Sequence, residues 1–210
     1  MLSLVIGNRQ LSSWSLRPWL VLRHLGVPFR EIPLTLDVPA FAPSIRQYSP
    51  AGRVPVLIDG DVAVWDSLAI IEYSNEKSGG RAWPADPAQR AHARSISAEM
   101  HSGFSTLRKH WPMQAASIGL RVPLPSEGQE DVARIDEIWR DCRNRYGHVG
   151  PWLFGSYSAA DAMYAPVVLR FRSYGASVSS ESAAYMEQTL SDAALKEWLA
   201  GAQAEVAADT

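Results

Sequence analysis

Hydrophobic positions along residues 1–80 follow two different periods, which predict short strands and helices in turn. Residues 2–6 form a brief apolar run that predicts a buried strand. Residues 15–25 carry apolar side chains at helical spacing and stop before Gly26, as a helix with a glycine at its C-terminal end would. Pro18 lacks an N–H and fits best in a first turn, so this helix should begin near Trp14 or the next residue.

The same alternation continues to residue 77. Residues 29–36 predict a second strand, and residues 40–48 a short helix. Two β-rich runs at residues 54–58 and 62–65 are joined through an Asp-Gly turn, which predicts a hairpin. A helix follows to residue 77, with Ser67 as a suitable N-cap. The predicted order is β-α-β-α-β-β-α, a small α/β domain.

The pattern changes at residues 78–87, where two glycines, two prolines and several polar residues predict a linker. Beyond it the strand signal fades and helical spacing dominates. The sequence therefore predicts an α/β domain at residues 1–80 and an all-α domain at residues 88–210. Its predicted helices are residues 88–110, 127–146, 159–172 and 193–207.

Composition restricts the possible partners of the chain. Of its 210 residues, 47% are hydrophobic and 20% are charged, enough to bury a sizeable core. The formal net charge is −2 and no lysine or arginine run occurs, so we expect neither nucleic acid nor an anionic membrane as a partner. A small-molecule substrate suits this balance better.

The single cysteine, Cys142, excludes an intrachain disulfide and fits a reducing compartment. It lies at an apolar position of the predicted helix 127–146 and is expected in the core. The N-terminus lacks the basic start and long apolar segment of a secretory signal, and no run is long enough to span a membrane. We therefore expect a cytoplasmic protein. The five histidines show no metal-ligand spacing, which predicts no metal site.

Ser12 and Ser13 lie at the predicted junction between the first strand and the first helix. A helix N-terminus exposes unpaired N–H groups and a positive dipole end, so it favours anions, a thiolate among them. A serine hydroxyl there could donate a hydrogen bond to a bound thiol and lower its pKa. The alternative is that both serines only cap the helix.

Two further pairs suggest binding of an amino-acid-like ligand. Pro55 opens a strand, where an ordinary trans bond or a cis bond would both fit; a cis bond would turn the backbone of Val54 outward, toward an extended peptide. Asp66 and Ser67 precede a helix and could be plain caps. They could equally hold the two ends of a free α-amino acid, with Asp66 on the ammonium and Ser67 on the carboxylate.

In combination these segments resemble the N-terminal domain of glutathione transferases. Residues 12–17 look like the family's S-S/P-x-x-x-R start to its first helix, nearest the zeta and tau classes. Residues 49–57 look like its N-P-x-G-K-V-P-x-L segment, residues 66–73 like E-S-x-A-I-x-x-Y, and residues 83–87 like its interdomain linker. Residues 155–161 resemble its G-x-x-T/S-x-A-D motif, which would close a capping box in the helical half.

The resemblance implies a thioredoxin-like N-terminal domain followed by an all-helical C-terminal domain, with glutathione as co-substrate. Counting back five residues from Arg17, as in zeta and tau enzymes, makes Ser12 the thiol-activating residue. Counting back four, as in delta and theta enzymes, makes it Ser13; we favour Ser12. The remaining glutathione contacts implied are Arg53, Val54, Pro55, Asp66 and Ser67.

The predicted helix 88–110 would face the pocket for the second substrate. Its aromatic and cationic side chains suit a planar, electron-poor or anionic electrophile, although packing in the core would explain the apolar ones equally well. The candidate pocket residues are Trp14, His101, Phe104, Arg108 and Trp111.

The function expected is conjugation of the glutathione thiolate to a small hydrophobic electrophile by a homodimeric enzyme. A glutathione-dependent isomerase or peroxidase on the same scaffold is the first alternative. A transferase-like protein that binds partners without catalysis is the second. Zeta-class members carry cysteine at the position of Trp14, so the isomerase chemistry of that class is not implied for this chain.

Overall fold

The computed structural model describes residues 1–208 and begins with a four-stranded mixed sheet. The strands are β1 Leu2–Gly7, β2 Phe29–Leu34, β3 Val56–Asp59 and β4 Val62–Trp65. Their spatial order is β2-β1-β3-β4. The central strands β1 and β3 run antiparallel, as do β3 and β4, whereas β1 and β2 run parallel.

Helices connect and cover this sheet and, with the loops between them, form the second half of the described chain. Three of them, α1 Ser13–His24, α2 Phe41–Ile45 and α3 Ser67–Lys77, belong to the α/β half. The fold class predicted from the sequence, a thioredoxin-like domain followed by an all-helical one, is confirmed. The helices of the second half are α4 Pro87–Ser102, α5 Ser105–His110, α6 Ser126–Tyr146, α7 Ala159–Tyr174, α8 Ser180–Ser191 and α9 Ala193–Ala208.

Three local predictions were wrong. The expected helix 88–110 is two helices, because Gly103 is extended and Phe104 takes a left-handed φ of 56° between them. Of the two residues considered as caps of α3, Asp66 is the N-cap, its carboxylate accepting N–H groups of the first turn, whereas Ser67 is the first helical residue. Helix α8 was missed, since its sequence is rich in serine and glutamate and few of its side chains are buried.

Helix α7 is the centre of the helical half and is buried along nearly its whole length. The predicted capping box at its start is present: the Asp161 carboxylate accepts the N–H of Ser158 at 2.8 Å and that of Leu153 at 3.0 Å. Because Asp161 is fully buried, its pKa is raised to about 6 even though these hydrogen bonds favour the charged form.

The main hydrophobic core runs through both halves, since α1 packs directly against α7. A smaller separate cluster in the α/β half consists of Val5, Ile45 and Val56. The predicted core position of Cys142 is confirmed, because its side chain is completely buried. In the part of the chain that the structure describes, no helix is both long and apolar enough to cross a membrane.

Candidate functional site

A cavity of about 910 Å³ lies where the starts of α1 and α3 face the bend between α4 and α5. Sequence reasoning missed five of its lining residues, namely Ala51, Trp65, Ser105, Lys109 and Arg170. The predicted residues that line it are Ser13, Trp14, Arg53, Val54, Pro55, Asp66, Ser67, His101 and Arg108.

The two candidate serines have different surroundings. Ser12 is the N-cap of α1; its Oγ donates to Ser15 Oγ at 2.7 Å and accepts from Ser15 N at 3.4 Å. Ser15 Oγ also accepts the N–H of Gly7, which ties the end of β1 to the start of α1. Ser13 begins the helix and lines the cavity, whereas Ser12 is not among the lining residues. The capping alternative therefore fits Ser12, and the structure places Ser13 on the cavity wall.

The segment before β3 forms one edge of the cavity. The Val54-Pro55 peptide bond is cis, the less common of the two forms considered from the sequence. Val54 and Pro55 line the cavity, and the exposed Arg53 lies beside them at its rim.

The start of α3 forms a second wall. Asp66 has a φ of 76°, and its Oδ1 accepts the N–H groups of Leu68 at 2.9 Å and Ala69 at 3.4 Å. Its Oδ2 lies 2.8 Å from His101 Nε2, which joins this helix start to α4. The Ser67 hydroxyl is buried and has no hydrogen-bond partner among the described residues. A buried hydroxyl left unpaired at a helix N-terminus is suited to an anionic ligand.

Trp14 lies on the third wall, and two guanidinium groups contact its ring. Arg17 lies 4.2 Å from the centroid of its ring and Arg108 5.3 Å, both within cation–π range. The ring of His101 packs against Trp14 edge-on at 5.2 Å. Arg17 itself is fully buried; its Nε donates to the carbonyl oxygen of Met163 and its Nη1 to that of Ser13.

The lining is strongly cationic. Among the lining residues that the structure describes, Arg53, Arg108, Lys109 and Arg170 are basic, and Asp66 is the one carboxylate. Burial, followed by repulsion from Arg108, lowers the pKa of Arg170 to about 10, and burial also lowers the pKa of Arg108. Asp131, outside the lining, partly offsets the charge of Arg108, and the remaining excess of positive charge in the lining would favour anionic ligands.

Two predicted pocket residues belong to the core instead. Phe104 and Trp111 are 7% and 8% exposed and do not line the cavity. The ring of Trp111 stacks on Tyr174 at 5.1 Å, and its indole N–H donates to the carbonyl oxygen of Val122. The break between α4 and α5 changes the direction of the chain before these two residues. The sequence prediction assumed one long helix and therefore placed both side chains in the pocket.

Among the lining residues that sequence reasoning missed, Arg170 is the buried cation that contacts Ser13. Its position in α7, among residues that are almost all apolar, was an available signal, because a charged residue in a buried helix needs a specific partner. Among residues 1–208 no cluster of three or more histidine, cysteine, aspartate or glutamate side chains could hold a metal ion.

Comparisons with known proteins point to one family. Residues 11–77 match the family described as glutathione S-transferase, N-terminal domain. A dichloromethane dehalogenase of Methylorubrum extorquens is 40% identical over 59 residues, which cover 27% of this chain and 20% of that protein. A probable maleylacetoacetate isomerase of Caenorhabditis elegans is 35% identical over 101 residues, or 47% of this chain and 46% of that protein. The chain thus spans less than half the length of the curated relatives it matches.

Solved structures extend the likeness to the whole fold. A glutathione transferase homologue from Burkholderia GL BGR1, solved with bound glutathione, superposes with a TM-score of 0.73 at 21% identity. The match covers 96% of this chain and 98% of the other. At this level of identity it establishes the shared fold.

Proposed function

We propose that the chain is an enzyme that joins the glutathione thiolate to a small electrophile, since its residues 11–77 match the N-terminal domain of glutathione S-transferases. The observation that carries the proposal is the cavity that brings Ser13, Val54 and the unpaired hydroxyl of Ser67 to facing walls. Those three groups match the thiol, the peptide backbone and the γ-glutamyl carboxylate of one extended tripeptide.

The proposed pose of glutathione follows from the charges of the walls. Its γ-glutamyl carboxylate accepts from Ser67 Oγ and the N-terminus of α3, and its ammonium lies near the Asp66 carboxylate. The backbone of Val54, ahead of Pro55, pairs with the cysteinyl residue. Arg53 at the rim is available to the glycyl carboxylate.

The proposed chemistry is nucleophilic substitution. The thiol loses its proton to solvent, and the Ser13 hydroxyl and the start of α1 stabilise the thiolate. The sulfur lone pair forms a bond to the electrophilic carbon, and the leaving group departs with the electrons of the bond that breaks. Each unit by which the pKa of the thiol falls corresponds to about 1.4 kcal/mol of preferential thiolate stabilisation, which one charge-assisted hydrogen bond can supply.

The second substrate is proposed to be planar and to carry a negative charge. Trp14 and His101 offer aromatic surface, and Arg108 and Lys109 offer positive charge on the same side of the cavity. This lining suits a carboxylated arene better than the small hydrophobic electrophile expected from the sequence.

A matched pair of aryl halides tests both parts of the proposal. The enzyme should conjugate 1-chloro-2,4-dinitrobenzene and, with a kcat/KM about tenfold higher, 4-chloro-3,5-dinitrobenzoate, because one ion pair in a partly buried site contributes on the order of a factor of ten. Arg108→Gln should remove most of that difference. Equal rates with both halides would contradict the anionic preference, and no conjugation of either, together with no retention on glutathione resin, would contradict the transferase and favour a non-catalytic binding protein.

A glutathione-dependent isomerase is the second candidate, favoured by the likeness to a probable maleylacetoacetate isomerase and by the cationic lining. The thiolate would add to a cis double bond between carboxylated carbons, allow rotation, and leave again. Isomerisation of a maleyl compound without halide conjugation would identify this activity. No observation favours a peroxidase over these two.

The assembly is proposed to be a homodimer, as implied by the family resemblance. Light scattering on the purified protein tests it, and a mass near the 23.1 kDa of a single chain would exclude it.

A further inference from the structure

Arg170 reaches from the helical half of the molecule to the hydroxyl of Ser13. We infer that Arg170 orients this hydroxyl toward the glutathione sulfur and places a buried positive charge beside it, so that α7 helps to activate the thiol. The inference rests on the proposed function and adds a residue of the second domain to its thiol site.

The guanidinium of Arg170 is held from three directions. Its Nε donates to the carbonyl oxygen of Trp111 at 2.9 Å, and its Nη1 to that of Pro166 at 3.4 Å. Its Nη2 donates to Ser13 Oγ at 3.3 Å. The side chain is only 4% exposed, so this geometry is fixed by packing as well as by hydrogen bonds.

The direction of the last hydrogen bond decides where the Ser13 proton can go. A guanidinium can only donate, so Ser13 Oγ must be the acceptor. Its own O–H is then free to donate elsewhere, and Ser13 lines the cavity. Ser12 differs, because its hydroxyl both donates to and accepts from Ser15. Ser13 is therefore the serine prepared to donate to a thiolate.

The positive charge of Arg170 also favours the thiolate form of bound glutathione. Its hydrogen-bond partners among the described residues are two carbonyl oxygens and a hydroxyl, none of them anionic. A buried cation without a counter-ion is unfavourable, and a thiolate bound beside it would relieve that cost. With a pKa of about 10, Arg170 remains cationic at neutral pH. Glutathione should therefore bind as the thiolate more readily than as the thiol.

The experiment compares the pKa of the glutathione thiol in complexes with wild type, Arg170→Met and Arg172→Met. Thiolate absorbance in the ultraviolet, followed against pH, gives that pKa directly. Arg172 is the matched control, since it lies on the same helix, is half-buried, donates to the carbonyl oxygen of Ala115 and does not line the cavity. We expect R170M to raise the thiol pKa by about one unit, which is a tenfold change in the ionisation constant of the thiol, and R172M to leave it unchanged.

A thiol pKa in R170M equal to that of the wild type would overturn the inference, while wild-type protein that binds no glutathione would overturn the proposed function instead. A double variant that combines R170M with Ser13→Ala distinguishes a positioning role from a packing role. Because Arg170 acts partly through Ser13, R170M should change the thiol pKa less when Ser13 is already alanine.

Should R170M fail to fold, Arg170→Lys gives the same readout. Lysine keeps the charge but lacks the planar fork that contacts two carbonyls and Ser13 together. The thiol pKa should then rise by less than in Ser13→Ala, and an unchanged pKa in R170K would contradict the positioning role.

Discussion

Ser12 and Ser13 are adjacent, yet their hydrogen bonds lead to different expected phenotypes. Ser13→Ala should lower kcat/KM for conjugation by about a hundredfold, the usual scale for loss of a group that stabilises a reacting centre. Ser12→Ala should instead lower the free energy of unfolding by about 1 kcal/mol, as loss of an N-cap does, with activity within about threefold of wild type. Steady-state kinetics and urea denaturation of both variants measure this. Loss of activity in Ser12→Ala with a fully active Ser13→Ala would restore the assignment favoured from the sequence.

The unpaired hydroxyl of Ser67 leads to a second prediction at the scale of one residue. Ser67→Ala should raise the KM for glutathione by about tenfold, since one hydrogen bond to a charged group is lost. The free energy of unfolding should not fall, because the folded protein itself gives this hydroxyl no partner. Ser74→Ala, on the same helix, is the control: its Oγ donates to the carbonyl oxygen of Ile70, so stability should fall while KM stays constant. An unchanged KM in Ser67→Ala would remove Ser67 from the proposed glutathione site.

Among the elements, the start of α7 gives a pH dependence whose sign is determined by burial. The pKa of Asp161 is raised from 3.8 to about 6, so between these values the folded protein holds a proton that the unfolded chain has lost. Its contribution to the free energy of unfolding must therefore fall as pH rises through this window, by about 3 kcal/mol. Urea denaturation of wild type and Asp161→Asn from pH 4 to pH 7 measures it. The free energy of unfolding of the wild type, relative to that of Asp161→Asn, should fall as pH rises. A difference between the two free energies that does not change with pH would contradict the raised pKa.

The elements also show what sequence pattern can and cannot predict. Helix α3 and the hairpin were predicted closely, because apolar period and turn residues are local signals. The break at residues 103–104 was not, although Gly103 is a local signal for one. The left-handed φ falls on Phe104, an unusual residue for it, whose side chain is buried in the core. Its consequence reaches the site: Phe104 and Trp111 turn into the core, while Arg108 remains in the lining.

For the whole molecule, the sequence motifs identified most of the cavity lining that the α/β half supplies, but not the contribution of the second half. Val54 and Ser67 lie in recognisable segments close to the turns that place them. Arg170 lies 157 residues from Ser13 in the chain, and only the packing of α7 on α1 brings the two together. Such a contact depends on the complete fold, so the hydrophobic periodicity of a single segment cannot predict it.

The shared core leads to the last prediction, on how the molecule unfolds. Arg17 of α1 donates to the carbonyl oxygen of Met163 in α7, and Asp66 contacts His101, so the two halves should unfold in a single transition. Cys142 gives a probe in the helical half. Its thiol is fully buried and burial raises its pKa to about 12, so it should resist thiol reagents in the native state. As the urea concentration increases, the reactivity of the Cys142 thiol should rise with the same midpoint as the loss of glutathione binding. A thiol that reacts at lower urea, with binding intact, would show instead that the proposed domains, residues 1–80 and 88–210, unfold independently.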